Sequence, residues 1–326
     1  MIYIPAMVNF YIFRSQVNPQ AVEVCRILSE AGYQAFIVGG CVRDLLLGVK
    51  PKDWDITTNA TPEKVIELFP KTYPTGLQHG TVTISMGEGV GSHFEVTTFR
   101  VEGEYKDGRR PEEVFFVMNV EQDLSRRDLT INAIAYDPLT GKLIDPFDGI
   151  HDLKHKIIRA VGLADARFQE DGLRIMRVAR FAARFGYEVD SETLHGMSNN
   201  LETLKKVSKE RIKDELCKTL MTQQPALGLK LLQECGALSV ACPFLASKPV
   251  YLYFSQYQDK CQGDLETRLA FLYANCLSQN VQEELTALKF SNKELKRILF
   301  LLELFDKVVD FVRTDNVKAY KNFMAS

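Results

Sequence analysis

Histidine is scarce in this chain, with five in 326 residues. Only His151 and His155 fall at helical i,i+4 spacing, and no HExxH surrounds them. That argues against a zinc role for them, and the pair reads as part of a solvated helix face. The seven cysteines, at 25, 41, 217, 235, 242, 261 and 276, are odd in number and contain no CxxC. That fits reduced thiols in a cytoplasmic protein better than a zinc ribbon or a disulfide framework. No GxGxxG follows a strand, so a nicotinamide or flavin oxidoreductase is excluded as well. No apolar run is long enough to span a bilayer. Residues 1–13, MIYIPAMVNFYIF, are apolar but short, contain Pro5 and lack the basic start and small-residue site of a secretory signal. They read as an N-terminal strand or an extended leader. Fixed-period repeats and low-complexity segments are absent. Neither sign of charge dominates: Lys+Arg is 40 and Asp+Glu 42, a net charge of −2. That excludes a polycation that coats nucleic acid in bulk, while leaving room for a local basic groove.

What is present begins with an α/β pattern. Asn18-Pro19 is a helix start, with an N-cap residue followed by proline at N1. The helix runs through Ala21, Val24, Cys25 and Leu28 to Gly32. Residues 34–38 predict a buried strand, 41–47 a short helix after Gly39-Gly40, and 54–58 a second strand. Thr61-Pro62 opens another helix, ending near Phe69. Residues 81–86 and 93–99 alternate as an antiparallel hairpin around the turn 87–92. Residues 100–113, RVEGEYKDGRRPEE, carry charge, two glycines and a proline but no apolar period, and predict a mobile loop. A strand at 114–117 and a helix opening over 125–133 follow. Asp145 to Gly149, DPFDG, is a turn cluster that predicts a domain boundary. From residue 150 onward strand signals vanish, and helical periodicity covers 166–185, 191–204, 208–222, 225–235, 264–278, 280–288 and 291–312. The fold class is α+β: a head over 1–150 with a mixed or antiparallel sheet, then a helical neck over 151–220 and a helical body over 221–326.

The chemistry concentrates first at residues 36–58. Gly39 and Gly40 permit close backbone approach to a ligand, and the helix after them points free N–H groups toward an anion. Arg43 is placed to reach a triphosphate, with Asp44 orienting it or a ribose. Asp53 and Asp55, two apart on a predicted strand, share one face. Paired carboxylates are what metal-assisted nucleotidyl transfer needs, with two Mg²⁺ ions shared between them. Glu95 alternates with apolar residues on a neighbouring strand and supplies the third carboxylate. Arg126, Arg127, Asp128 and Asn132 fall at what reads as a helix start. Arginine opposes the helix dipole there, so a bound anion is the natural partner, and a surface salt-bridge cluster the plainer one.

A second concentration lies at Glu170 to Phe181, EDGLRIMRVARF. Read as one helix, it places Asp171 and Arg174 on the same side and lines up Arg174, Arg177, Arg180 and Arg184 as a basic stripe. Over 153–218 there are 14 Lys and Arg against 10 Asp and Glu, a net +4 in a chain that is −2 overall. Such a stripe can track an RNA backbone or be a solvated helix face. Asp171 accepts from an exocyclic amine and Arg174 donates to a ring nitrogen. Cytosine and adenine offer both together, whereas uracil and guanine leave the pair unsatisfied.

Taken in order, GGCVRD, WDITT, EVTTFR, RRDLTINA, EDGLR and SKERIKDEL resemble the class II tRNA nucleotidyltransferases, which add CCA to tRNA 3′ ends, and the related bacterial poly(A) polymerases. The resemblance covers about residues 20–220 and implies a polymerase-beta-like head. It implies a metal-binding catalytic pair at Asp53 and Asp55, with triphosphate and ribose contacts from Arg43 and the Arg126/Arg127/Asp128 cluster. Asp171 and Arg174 become a protein template for the incoming base, supported by Glu170 and Arg177. Glu210 and Arg211 fall in a neck-helix motif that buttresses it. CTP and ATP are the implied substrates and the tRNA acceptor end the implied partner, with no obligatory protein partner. The long 100–113 segment favours competence for adding A. An A-adding enzyme or a poly(A) polymerase remains as the alternative, and a catalytically inactive RNA-binding relative as a remote one. The family's members commonly extend past this length, so the resemblance implies a body whose tail is short or truncated.

Overall fold

The computed structural model describes residues 15–87, 92–102, 114–247, 263–274 and 276–313. Residues 1–13, read above as a strand or leader, and most of the 100–113 segment lie outside these. The chain divides into two compact units. One is Met1–Glu170 with Glu188–Thr193, and the other is Asp171–Tyr187 with Leu194–Ser326.

The first unit is built on a seven-stranded sheet. Its strands are β1 (Ala35–Val38), β2 (Asp55–Thr58), β3 (Thr72–Gly76), β4 (Thr81–Ser85), β5 (His93–Thr98), β8 (Ala135–Tyr136) and β9 (Leu143–Ile144). Their spatial order is β3-β4-β5-β2-β1-β8-β9. Among the described residues of this sheet, β2 and β5 are the pair that runs parallel, with Asp55 opposite Glu95 and Thr57 opposite Thr97; the hairpin β4–β5 is antiparallel as expected. The alternation fixes which face of the sheet is buried. Ile56, Val82, Ile84, Phe94 and Val96 are buried on one face, and the polar residues between them point the other way. The helix Pro19–Glu30 starts where Asn18 accepts from the Gln20 N–H at 2.8 Å, a cap worth about 1 kcal/mol. It buries Ala21, Val24, Cys25 and Leu28.

Several expectations need correction. Residues 100–102 are not loop: Arg100–Glu102 (β6) pairs antiparallel with Val114–Phe116 (β7). A three-residue strand is too short to show a period of two. The helix expected to open at Ser125 instead ends there. It spans Val120–Ser125, capped at its start by Asn119, and Arg126 is its C-cap; a single 3₁₀ turn, Thr130–Asn132, follows. Strands also continue past residue 150. Ile157–Ile158 (β10) and Glu188–Val189 (β11) pair in parallel, and Arg159 Nη1 bonds Asp190 at 2.6 Å beside them.

In the second unit, the helix Leu173–Phe185 packs on Lys209–Leu220 and Pro225–Glu234. A Cβ on Gly228 would stand 2.6 Å from Thr219 Cγ2 and 3.0 Å from Ala183 Cβ, so glycine sets how closely these helices approach. The expected helix 166–185 is broken into Ala164–Glu170 and Leu173–Phe185. At the break Asp171 Oδ1 accepts the Leu173 N–H at 3.0 Å, and a Cβ on Gly172 would lie 2.4 Å from the backbone of Thr203 and Leu204, so glycine is needed there. Farther along, buried Glu284 accepts from the Phe244 and Leu245 N–H groups and from the Tyr273 hydroxyl at 2.6, 3.2 and 2.8 Å. No helix among the described residues is long and apolar enough to cross a membrane.

Candidate active site

Strand β2 begins at Asp55, not at Trp54, so Asp53 stands in the bend before the strand and is exposed. Trp54, 6% exposed, anchors that bend in the core. The parallel register places Asp55 beside Glu95 and Thr57 beside Thr97 on one face of the sheet. This polar face opens into a cleft of about 250 Å³, lined by Asp55, Thr81, Glu95 and Thr97 together with Arg100, Arg126 and Arg127.

The electrostatics are those of a site assembled against its own repulsion. Burial pushes the Asp55 carboxyl up to about 6, the Arg127 charge pulls it down, and Glu95 and Asp53 push it up further. Asp55 thus feels the charges of Arg127, Glu95 and Asp53 together. Beneath them Cys41 bonds the Val38 carbonyl at 3.2 Å, and burial pushes its thiol up to about 12. It stays protonated at neutral pH, so the donors available at this face are hard oxygens, the set that suits Mg²⁺. Among the described residues no three His, Cys, Asp or Glu side chains already converge at metal-holding distances.

Arg126 and Arg127 reach the cleft from the C-terminal end of the helix Val120–Ser125, where the dipole favours them. The dipole argument for a bound anion, made from a helix start, is thereby removed. Both arginines pair instead with buried Asp123, at 2.8 and 3.4 Å. Arg127 also explains Gly39. That residue has φ of +81°, and a Cβ there would lie 2.8 Å from Arg127 Nη1. Gly40 opens the helix Gly40–Leu46.

Arg43 is 3% exposed and forms an interior brace. Its Nε and Nη2 bond Asp44 Oδ1 at 2.9 and 2.7 Å, and its Nη1 bonds the Asn132 side-chain oxygen. Asn132 in turn donates to Asp128 Oδ1 at 3.1 Å, which also takes the Leu129 N–H at 2.9 Å. The orienting role read for Asp44 matches this arrangement.

In the second unit Asp171 sits in the helix break, ahead of the helix that carries Arg174, rather than on it. Its Oδ1 accepts the Leu173 N–H at 3.0 Å and its Oδ2 takes Arg211 Nη2 at 2.7 Å. Its backbone carbonyl accepts the Arg174 N–H at 3.0 Å, which fixes the two residues side by side. A carboxylate with about four acceptor positions keeps capacity for a further donor. Arg174 is 8% exposed.

The basic stripe is not an open one. Arg180 Nε bonds Glu215 at 2.6 Å, Arg177 lies 3.9 Å from the same carboxylate, and both guanidiniums cover the Phe181 ring. Arg184 lies over Phe185. Glu170 falls in the first unit and pairs with Arg167. Glu210 is exposed in the first turn of Lys209–Leu220. Two residues in these networks escaped the sequence reading, Asp123 and Glu215. Each is an acidic residue set to meet two arginines, and the signal for Asp123 was its i,i+3 and i,i+4 spacing to Arg126 and Arg127.

Residues 35–159 match the model of the Poly A polymerase head domain, and residues 186–248 match "Probable RNA and SrmB- binding site of polymerase A". A CCA-adding enzyme of Lactobacillus delbrueckii subsp. bulgaricus is 47% identical over 234 residues, covering 72% of this chain and 58% of that relative. The chain thus spans well under two thirds of that relative's length. The CCA-adding enzyme of Lactococcus lactis subsp. lactis is 40% identical over 304 residues, covering 93% of this chain and 72% of that one. Among solved structures, the Bacillus stearothermophilus CCA-adding enzyme in complex with CTP superposes with a TM-score of 0.78 at 35% identity, over 89% of this chain and 71% of that one. With a polar carboxylate–arginine cleft on a mixed sheet and relatives that match across nearly all of its length, the chain belongs to the family of CCA-adding enzymes built on the poly A polymerase head domain.

Proposed function

We propose that this chain adds CMP and AMP, drawn from CTP and ATP, to the 3′ end of tRNA without a nucleic-acid template. The observation that carries the reading is the cleft in which Asp55 and Glu95 stand in register beside Arg126 and Arg127. Carboxylates alone would repel a triphosphate, and arginines alone would bind one without reaction. Asp53, Asp55 and Glu95 are the residues that would hold Mg²⁺. Two such ions, when bound, supply Lewis-acid stabilisation of charge at the attacking and leaving oxygens.

Arg126 and Arg127 meet the anionic oxygens of the triphosphate, as planar guanidiniums do well. Gly39 and Gly40 leave room for the nucleotide against the backbone. The Arg43–Asn132–Asp128 brace holds the turn behind it and its ribose contacts. The 3′-oxygen of the RNA attacks the α-phosphorus in line, and pyrophosphate leaves. Asp171 and Arg174 choose the base: Asp171 accepts from the exocyclic amine of C or A, and Arg174 donates to the adjacent ring nitrogen. Arg211 fixes Asp171 in place, while Arg177 and Arg180, anchored on Glu215, keep the selecting helix rigid. The tRNA is held by its backbone and shape, and the segment 100–113 favours competence for A.

Asp55→Ala should abolish nucleotide incorporation while leaving tRNA binding nearly intact, and turnover comparable to the parent would overturn the assignment. The match of residues 35–159 to the Poly A polymerase head domain favours poly(A) synthesis as a second reading. Uptake of CTP separates it from the first.

A further inference from the structure

Asp123 is 0% exposed and lies in the last turn of Val120–Ser125, behind the arginine pair of the cleft. Its two oxygens divide the arginines between them. Oδ1 accepts from Arg126 Nε at 2.9 Å and lies 2.8 Å from Nη2, while Oδ2 takes Arg127 Nη2 at 3.4 Å. Oδ2 also accepts from the Thr57 hydroxyl at 3.2 Å, and Oδ1 from the Arg100 N–H at 3.4 Å. Thr57 lies two residues after Asp55 on β2 and on the same face. One buried carboxylate thus ties the carboxylate-bearing strand to both arginines and to the first residue of β6.

Two adjacent guanidiniums repel each other, and two unpaired ones would swing toward solvent. Asp123 cancels one of the two charges and leaves a net +1 directed at the cleft. Burial works against ionising Asp123, but Arg126 and Arg127 outweigh it and hold the carboxyl below its ordinary range. The group is therefore an anion throughout neutral pH.

We infer that Asp123 is a positioning residue for nucleotide binding: it touches no substrate, and it sets Arg126 and Arg127 at the place where the triphosphate arrives. The inference rests on the proposed nucleotidyl transfer and adds the residue that organises its phosphate contacts. Asp123→Asn conserves shape and removes the charge. The Asn amide then faces arginine N–H groups, and the arginines lose their common anchor.

The test is equilibrium binding of CTP and ATP to the full chain with Mg²⁺ present, alongside kcat and KM. D123N should weaken nucleotide binding at least tenfold and raise the nucleotide KM similarly. It should leave tRNA affinity unchanged and kcat within about threefold. A merely structural role would lower the unfolding temperature and the active fraction with no change in nucleotide Kd, and that result overturns the inference. The second arm compares R126Q/R127Q, which leaves the Asp123 carboxylate buried without its two arginines, with R126Q/R127Q/D123N, which removes that charge as well. Equal nucleotide affinity in these two supports the inference, because Asp123 then has no arginine to act through. A further tenfold loss in the triple variant overturns it. This arm decides the matter even where D123N alone does not fold. Failure of the parent chain to bind either nucleotide would refute the proposed function and the inference together. Binding by the parent and equally by D123N refutes the inference alone.

Discussion

Replacing Asp55 by Asn should make the metal-free protein more stable while removing its activity. Asp55 is a carboxylate that the fold ionises at a cost. Its carboxyl lies at about 6 against an ordinary 3.8, driven by burial and by Glu95 and Asp53, with Arg127 offsetting part of this. A rise of that size corresponds to as much as about 3 kcal/mol at neutral pH. The sign follows from proton uptake. Between pH 3.8 and about 6 the folded state holds a proton that the unfolded state has released, so stability falls as pH rises through this window. Asn at this position carries no such penalty, although Arg127 loses a partner. In EDTA at pH 7.5, D55N should therefore unfold at a higher temperature, by about 2 to 4 °C for each kcal/mol gained. At pH 4 the two proteins should coincide, because Asp55 is then protonated when folded. Added Mg²⁺ should raise the melting temperature of the parent and not of the variant, since only a site that binds the ion gains from it. Thermal unfolding followed by circular dichroism across pH 4 to 8 reads all of this. A variant less stable than the parent at pH 7.5, or a gap that does not change with pH, would refute the reasoning.

Arg174→Ala should loosen nucleotide choice, so that UTP and GTP compete measurably with CTP and ATP in single-turnover incorporation; unchanged exclusion of both would remove Arg174 from base selection. Gly172→Ala should destabilise the second unit by about 3 kcal/mol or more, as expected for overpacking against backbone that cannot move aside, because the new Cβ meets Thr203 and Leu204 backbone at 2.4 Å. Urea unfolding checks this, and a change under 0.5 kcal/mol would contradict it. Glu284→Ala should cost about 3 kcal/mol by leaving two N–H groups and the Tyr273 hydroxyl unbonded in the interior, again read by urea unfolding, with Glu284→Gln recovering part of the loss.

The readable parts of this fold are those governed by local chemistry. Asn18-Pro19 starts a helix because its cap and its fixed proline φ are properties of two residues. The β4–β5 hairpin shows because residues 81–85 and 93–98 alternate, and the same alternation puts Glu95 on the face it shares with Asp55. Where contacts come from far along the chain, sequence reading fails. Asp171-Gly172 carries a local turn signal, since Asp171 Oδ1 accepts the Leu173 N–H at 3.0 Å, but the close approach of the backbone at 203–204 that requires glycine at 172 has no local sign. The two-residue strands Ile157–Ile158 and Glu188–Val189 are too short for any period. Forward from Ser125, residues 125–133 read as a helix start and carry the arginine pair with them. Read backward to Asp123, the i,i+3 and i,i+4 pairing puts it at a helix end. The basic stripe was legible as charge, but its closure on Glu215, some 35 residues on, was not.

The most direct test of the account gives the purified chain CTP alone, ATP alone and both, on tRNA lacking its terminal CCA. The account predicts two C residues from CTP alone, one A added to tRNA that already ends in CC, and the full CCA from the mixture. Long A tails on unrelated RNA, or no uptake of CTP, would contradict it.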